Sequence, residues 1–367
     1  MKLKQTLFSL VSLLLCAALL AGCGAPAVSG PLPGKNAQRY TTIFYDVFDT
    51  ITQVIAYCDS EDEFRSQMEA LHNDLLEYHQ LYDIYNSYDG VSNIKTINDN
   101  AGVTPVKVDE KILDLLELAV EMYDTTGGKL NVAMGSVLGI WHDHREAAEA
   151  DPGDEDNTLP EQAELEAAAQ HCDINDIVID REAGTVYLAD PEMSLDVGSV
   201  GKGYAVEMAC QAAEARGLIS ASVSVGGNLR AIGYKPDGAR WTGGVENPWD
   251  SSDFYTADSS LVAAVYTSNQ ALVTSGDYQR YYMVDGVRYH HLIDPDTLWP
   301  AAYFDSVTIL CPDSGLADCL STALFCSTLE EGQALVRSLD GVEALWCTTD
   351  GELVFSDGFQ DYAIENS

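Results

Sequence analysis

Two short β-rich runs near the C-terminal third, RYYMV (280–284) and VRYHHLI (287–293), flank Asp285-Gly286. Both of those residues tolerate positive φ, so the spacing predicts a tight hairpin. Ser275, Gly276 and Asp277 lie just before it, and His290, His291, Asp294 and Pro295 close it. A hairpin of this kind gathers a hydroxyl, imidazoles and carboxylates, which suits proton transfer or metal-assisted chemistry; a surface hairpin with a polar rim is the plainer reading.

A second segment, SLDVGSVGKGYAV (194–206), delivers Asp196 from an apolar strand into a turn containing Gly198, Gly201 and Gly203. Helix is expected from Tyr204 to Arg216, stopping at Gly217. A glycine turn that opens a helix presents free N–H groups and the positive end of the helix dipole, both suited to phosphate, and Lys202 adds a cation. The spacing fits neither the P-loop nor the dinucleotide-binding fingerprint, and a plain tight turn explains it equally well. A third segment, GLADCLSTALFC (315–326), reads as a helix on which Asp318 and Thr322, four apart, share a face. A carboxylate and a hydroxyl so placed suit Mg²⁺, a hard cation that keeps positions for water and phosphate; a solvated polar stripe is the alternative.

The elements around these segments read as an α+β fold, with mixed sheets and packed helices in one compact, two-lobed catalytic domain. A capping box at Ser60 and Glu63 opens a helix to Tyr82, and a second helix runs from about Asp109 to Asp124 before Gly127-Gly128. The tyrosine-rich interval between them, holding Tyr88, is loop-like and polar enough to line a site. A strand pair is expected around 177–189. The stretch 142–159, acidic and rich in breakers, reads as an exposed insertion whose His142 and His144 hold nothing specific.

The N-terminus is a targeting segment: Lys2 and Lys4, an apolar run from Leu7 to Leu20, then Leu20-Ala21-Gly22-Cys23, the pattern of a lipoprotein signal. Residues 1–22 are thus expected to be removed, Cys23 lipidated, 23–39 a flexible tether and 40–367 the catalytic domain, held outside the cell membrane. The whole chain carries 19 Lys and Arg against 58 Asp and Glu, a net charge of −39. Without Lys2 and Lys4 the balance is 17 against 58, or −41. Such a field argues against nucleic acid as a partner, and an anionic substrate then needs a cation to help hold it. Of the nine cysteines, the seven beyond Cys23 mostly sit in apolar runs and form no C-x-x-C pair, so they read as small buried hydrophobes.

Taken together and in order, DVGSVGKGYAV, SVSVGGNLRAIG, TSGDYQRYY with RYHHLIDPDT, and LADCLSTALF resemble the FAD:protein FMN transferase (ApbE) family. The resemblance spans about Thr41 to Cys347. It implies Mg²⁺-dependent transfer of FMN from FAD to a threonine hydroxyl of an exported or membrane-bound acceptor, releasing AMP. The acceptors it implies are membrane redox subunits or secreted flavoproteins. Carried over by position, it implies Asp196, Lys202, Ile293 and Tyr88 as flavin-nucleotide contacts and His291 as the base toward the threonine. It implies Ser199 (through its main chain), Asp318 and Thr322 as metal ligands. The sequence departs from the family pattern at Phe48-Asp49-Thr50, where Met-Gly-Thr is usual, and at Leu298, where a glycine is usual. FAD hydrolysis to FMN and AMP, or flavin binding without catalysis, are the competing readings.

Overall fold

The computed structural model describes residues 30–150, 157–249 and 260–364. Alternation of side chains along antiparallel strands builds the central element, an eight-stranded sheet in the order β1-β2-β6-β7-β10-β13-β14-β15. Its strands are β1 (Gln38–Val47), β2 (Thr50–Cys58), β6 (Ser220–Val225), β7 (Asn228–Gly233), β10 (Ala271–Gly276), β13 (Phe304–Cys311), β14 (Glu343–Thr348) and β15 (Leu353–Phe355). The remaining strands pair separately. They are β3 (Val106–Lys107), β4 (Ile177–Asp180) and β5 (Thr185–Leu188) in one small sheet, β8 (Thr242–Glu246) with β9 (Leu261–Tyr266), and β11 (Tyr281–Val284) with β12 (Val287–His290).

The α-helices of the described residues are α1 (Glu61–Tyr82), α2 (Ile94–Asn98), α3 (Glu110–Thr125), α4 (Gly135–Ala150), α5 (Gln162–Ala168), α6 (Gly201–Ala215), α7 (Ser314–Phe325) and α8 (Leu329–Ser338). Period-two alternation decides what each sheet face covers. Val273, Val307, Ile309, Ala344 and Trp346 join Leu320 and Leu324 of α7 in the largest cluster. Leu272, Leu310 and Leu345 point the other way, onto Val245 of β8 and Val265 of β9. Val54, Val223 and Val225 pack against Leu71 and Leu75 of α1 and Ala209 of α6. Residues 32–367 group as one unit.

The helix starts follow the capping logic with one variation. Ser60 Oγ accepts from Glu63 N–H at 3.2 Å, but Glu63 reaches back to the N–H of Asp59, at 2.9 Å, rather than to that of Ser60. α3 begins after Asp109, and Gly127 and Gly128 follow its end with φ of +62° and +88°. The hairpin turn is as expected, with Asp285 at φ +51° and Gly286 at +78°.

Two expectations need correction. α6 starts at Gly201, so Gly201 and Gly203 form its first turn and do not precede it. The 142–159 stretch is not an exposed loop: residues 142–150 continue α4, and 151–156 lie outside the described residues. Its run of Glu and Ala is acidic but strongly helix-forming, and helix propensity prevails over the breakers that follow. Cys23 and the signal segment also lie outside the described residues. Among those described, no helix is long and apolar enough to cross a membrane. The seven cysteines from Cys58 onward are all free thiols, and all but Cys172 are buried.

Candidate active site

The three sequence segments converge on one cavity of about 860 Å³. Asp196, Ser199, Lys202, His291, Ile293, Asp318 and Thr322 all line it. Tyr88 does not; its place in the wall is taken by Tyr85, while Tyr88 stands behind, donating to Asp83 Oδ2 at 2.7 Å and touching His79 Nε2 at 3.3 Å.

Asp318 is held by a helix–helix contact. Gly203 N–H in the first turn of α6 donates to Asp318 Oδ2 at 2.7 Å. A Cβ on Gly203 would sit 2.4 Å from both Asp318 Cβ and Ser314 O, so only glycine lets α6 and α7 approach this closely. Asp318 is 6% exposed, and burial pushes its carboxyl above the usual range, against the pull of the Lys202 charge. Lys202 is shifted the other way: its withdrawal from water lowers its pKa, with Asp318 opposing and Arg280 adding to the fall. Its Nζ donates to Gly226 O at 3.4 Å, which ties it to the β6–β7 turn. Asp196 is likewise pushed up by burial, although Gly198 N–H donates to its Oδ1 at 2.8 Å. Thr322 Oγ1 and Ser321 Oγ both approach Ser275 Oγ, at 3.5 and 2.8 Å, so a cluster of hydroxyls lies beside the Asp318 carboxylate.

The hairpin delivers less than its composition offered. Of its polar groups, Arg280 and His291 reach the cavity, and Ser275 does so from the end of β10. Asp277 pairs with Arg288 at 2.8 Å, and Asp294 with Lys129 at 3.0 Å. His290 is buried, with Nε2 on Ala301 O at 2.9 Å. His291 Nδ1 lies 3.2 Å from Arg280 O. A carbonyl only accepts, so this contact requires the proton on Nδ1 and leaves Nε2 with the lone pair of a base. Burial, then the Arg280 and His290 charges, push His291 down to about 3, so the ring is neutral at neutral pH.

Four cations, Lys129, Lys202, Arg145 and Arg280, line the cavity beside five carboxylates, Asp49, Asp83, Asp196, Glu246 and Asp318, and Lys129 is paired with Asp294 and Asp296. Arg145 Nη2 lies 2.8 Å from His142 Nδ1, and the His142 ring stacks on Tyr85 with centroids 4.9 Å apart. Tyr85, Arg145 and Arg280 were not singled out from sequence, and His142 was read as holding nothing specific. The helix propensity of the 142–150 stretch was the signal that His142 and Arg145, three apart, face one way.

The donor set suits Mg²⁺ better than a metal held wholly by protein. Among the described residues no cluster of three or more His, Cys, Asp or Glu side chains surrounds a point. One buried carboxylate next to hydroxyls, facing a cavity with cations, matches an ion that shares its remaining positions with water and phosphate.

Residues 48–346 match the ApbE family. The FAD:protein FMN transferase of Treponema pallidum (strain Nichols) is 34% identical over 286 residues, which is 74% of either chain. That of Vibrio cholerae (Classical Ogawa 395) is 28% identical over 362 residues, 98% of this chain and 97% of the other. The crystal structure of the ApbE protein from Thermotoga maritima aligns with a TM-score of 0.76 at 28% identity, covering 89% of this chain and all of that one. The chain belongs to the ApbE family.

Proposed function

We propose that this protein transfers FMN from FAD to a threonine hydroxyl of an exported or membrane-bound acceptor protein, releasing AMP. The observation that carries the reading is one cavity joining the buried Asp318 and half-buried Thr322, the Lys202 ammonium and the His291 imidazole. The similarity to FAD:protein FMN transferases supports the same reading.

Asp318 and Thr322, with the Ser199 main chain, would hold Mg²⁺, which when bound neutralises charge on the pyrophosphate. Lys202 and the α6 N-terminus would bind the phosphates, and Asp196 and Ile293 the nucleotide. The threonine Oγ attacks the FMN-side phosphorus, the bond from that phosphorus to the bridging oxygen breaks, and AMP leaves with that oxygen. The threonine proton passes to His291 Nε2. Such proton transfer contributes ~10²–10⁴-fold. Charge stabilisation at the phosphates contributes more, and Asp318 would serve it by holding the metal.

The acceptors in this reading are membrane redox subunits or secreted flavoproteins, and the enzyme is tethered outside the cell membrane through lipid on Cys23. The support for the tether is the Leu20-Ala21-Gly22-Cys23 sequence after its apolar run. AMP release tests the chemistry: with FAD, Mg²⁺ and a threonine-bearing acceptor, the protein forms AMP, and EDTA stops it. FAD left intact in the presence of metal and acceptor would refute the reading.

A further inference from the structure

The β1–β2 turn lines the cavity yet has no part in the chemistry above. Phe48 and Asp49 occupy its two central positions with φ of +54° and +50°. This is the left-handed pair of a type I′ turn, where Asn-Gly is favoured and a phenylalanine is sterically opposed. Such a conformation persists only when its surroundings over-determine it.

They do so from two sides. Gly226 N–H donates to Ile51 O at 3.0 Å, and a Cβ on Gly226 would lie 2.5 Å from Thr50 Oγ1, so the β6–β7 turn closes against the strand after the bend. On the other side Phe48 N–H donates to His79 Nδ1 at 3.1 Å, and the Phe48 ring stands edge-on to the imidazole at 5.6 Å.

A backbone amide only donates, so His79 Nδ1 is the bare nitrogen and Nε2 carries the proton. Nε2–H then donates to the Tyr88 oxygen at 3.3 Å, and Tyr88 O–H donates to Asp83 Oδ2 at 2.7 Å. Asp83 is itself pinned by the N–H groups of Tyr85 and Asn86, at 2.6 and 2.9 Å. Burial, then the bond to Asp83, push Tyr88 up to about 12, so it stays a donor. Burial pushes Asp83 up, but the bonds from Tyr88, Asn86 and Tyr85 outweigh it and hold the carboxyl below its usual range. The chain of donors therefore runs in one direction, from Asp83 as final acceptor back to the Phe48 amide. Phe48, Asp49, His79 and Asp83 all line the cavity.

We propose that His79 is a positioning residue: oriented by Tyr88 and Asp83, it fixes the Phe48–Asp49 turn as a wall shaped for the flavin dinucleotide, and so sets FAD affinity and not the rate of transfer. The proposal rests on the FMN-transfer reading for its substrate, but the hold on the turn stands apart from it.

The test uses the full chain in detergent, as wild type and as His79→Ala, His79→Asn and Tyr88→Phe. Hydrogen exchange over residues 44–52 is measured beside steady-state transfer from FAD. Asparagine places an amide oxygen near the position of Nδ1 and restores the acceptor for Phe48 N–H. Exchange is expected to quicken in His79→Ala and to return toward wild type in His79→Asn, with β13 unchanged in both. The KM for FAD should rise roughly ten-fold in His79→Ala, the loss expected for one hydrogen bond, with kcat little altered. Tyr88→Phe should fall between the two. Unchanged exchange in His79→Ala would overturn the relay whatever the flavin result. Faster exchange with an unchanged KM, in a wild type that turns over, would overturn the role in substrate binding. A wild type that neither binds nor cleaves FAD would refute the function and this substrate, while the exchange data would still decide whether His79 holds the turn.

Discussion

His290 ends β12 and His291 is the first residue beyond it, and the two identical side chains meet different surroundings. His290 turns inward, where Nε2–H donates to Ala301 O and Nδ1 accepts from Leu292 N–H at 3.2 Å. Both nitrogens are spent, so protonation would break the second bond, and burial pushes the ring down to about 4. Below pH 6.5 an unfolded chain protonates this histidine while the folded one does not, so stability falls as pH drops from 6.5 to about 4. The loss should reach about 3 kcal/mol from this group alone, and His290→Gln should flatten the fall in melting temperature over that window. A slope no different in the variant would contradict it. His291 carries a different expectation. Its ring sits at about 3 in the free protein because of burial and the Arg280 charge. A bound pyrophosphate adds negative charge and raises it, so the acid limb of kcat should lie at higher pH than that of kcat/KM. Coincident limbs would argue against His291 as the base. The His-His pair was plain in the sequence; which ring faces the cavity depends on where β12 ends, which composition does not reveal.

The contact of α6 with α7 gives the segments their chemistry. Asp318 and Thr322 share a face as their spacing predicts, but the carboxylate is steadied by Gly203 N–H, more than a hundred residues earlier in the chain. Gly203→Ala would drive a methyl into Asp318 and Ser314 O. It should destabilise the protein by about 1–3 kcal/mol, as overpacking does, and weaken Mg²⁺-dependent FAD cleavage further by moving Asp318. A variant with unchanged melting temperature and activity would contradict the account of this contact. Elements with strong local signals were legible: the Ser60 start of α1, the Gly127-Gly128 stop of α3, the Asp285-Gly286 turn. α4 was not, because charge suggested exposure where propensity and Trp141, buried against Ile293 and Leu298, dictate packing. Tyr88 was misplaced in the cavity wall for a related reason. In an irregular loop no period says which tyrosine faces in, and the bonds of Tyr88 to Asp83 and His79, though only five and nine residues away, follow no regular spacing. The departure at Leu298 has a structural sense: it keeps the positive φ of a glycine, +65°, while its side chain fills the cluster around Trp141.

At the scale of the whole molecule, a chain of net charge −39 gathers Lys129, Lys202, Arg145 and Arg280 around one cavity. The composition implied that an anionic substrate needs cations beside it, and the fold supplies them from the α3–α4 connection, α4, α6 and the hairpin. The N-terminal reading adds a location. The full chain should label with fatty acid and stay with membranes, whereas Cys23→Ala should do neither; a labelled variant would place the anchor elsewhere. The central claim is tested most directly by the intact mass of a threonine-bearing acceptor domain after incubation with the protein, FAD and Mg²⁺. The account predicts a gain of one FMN that disappears with EDTA and in Asp318→Ala, and falls ~10²–10⁴-fold in rate in His291→Ala. An acceptor of unchanged mass, with free FMN and AMP in solution, would make the protein an FAD hydrolase; unchanged mass with FAD bound and intact would leave it a flavin-binding protein.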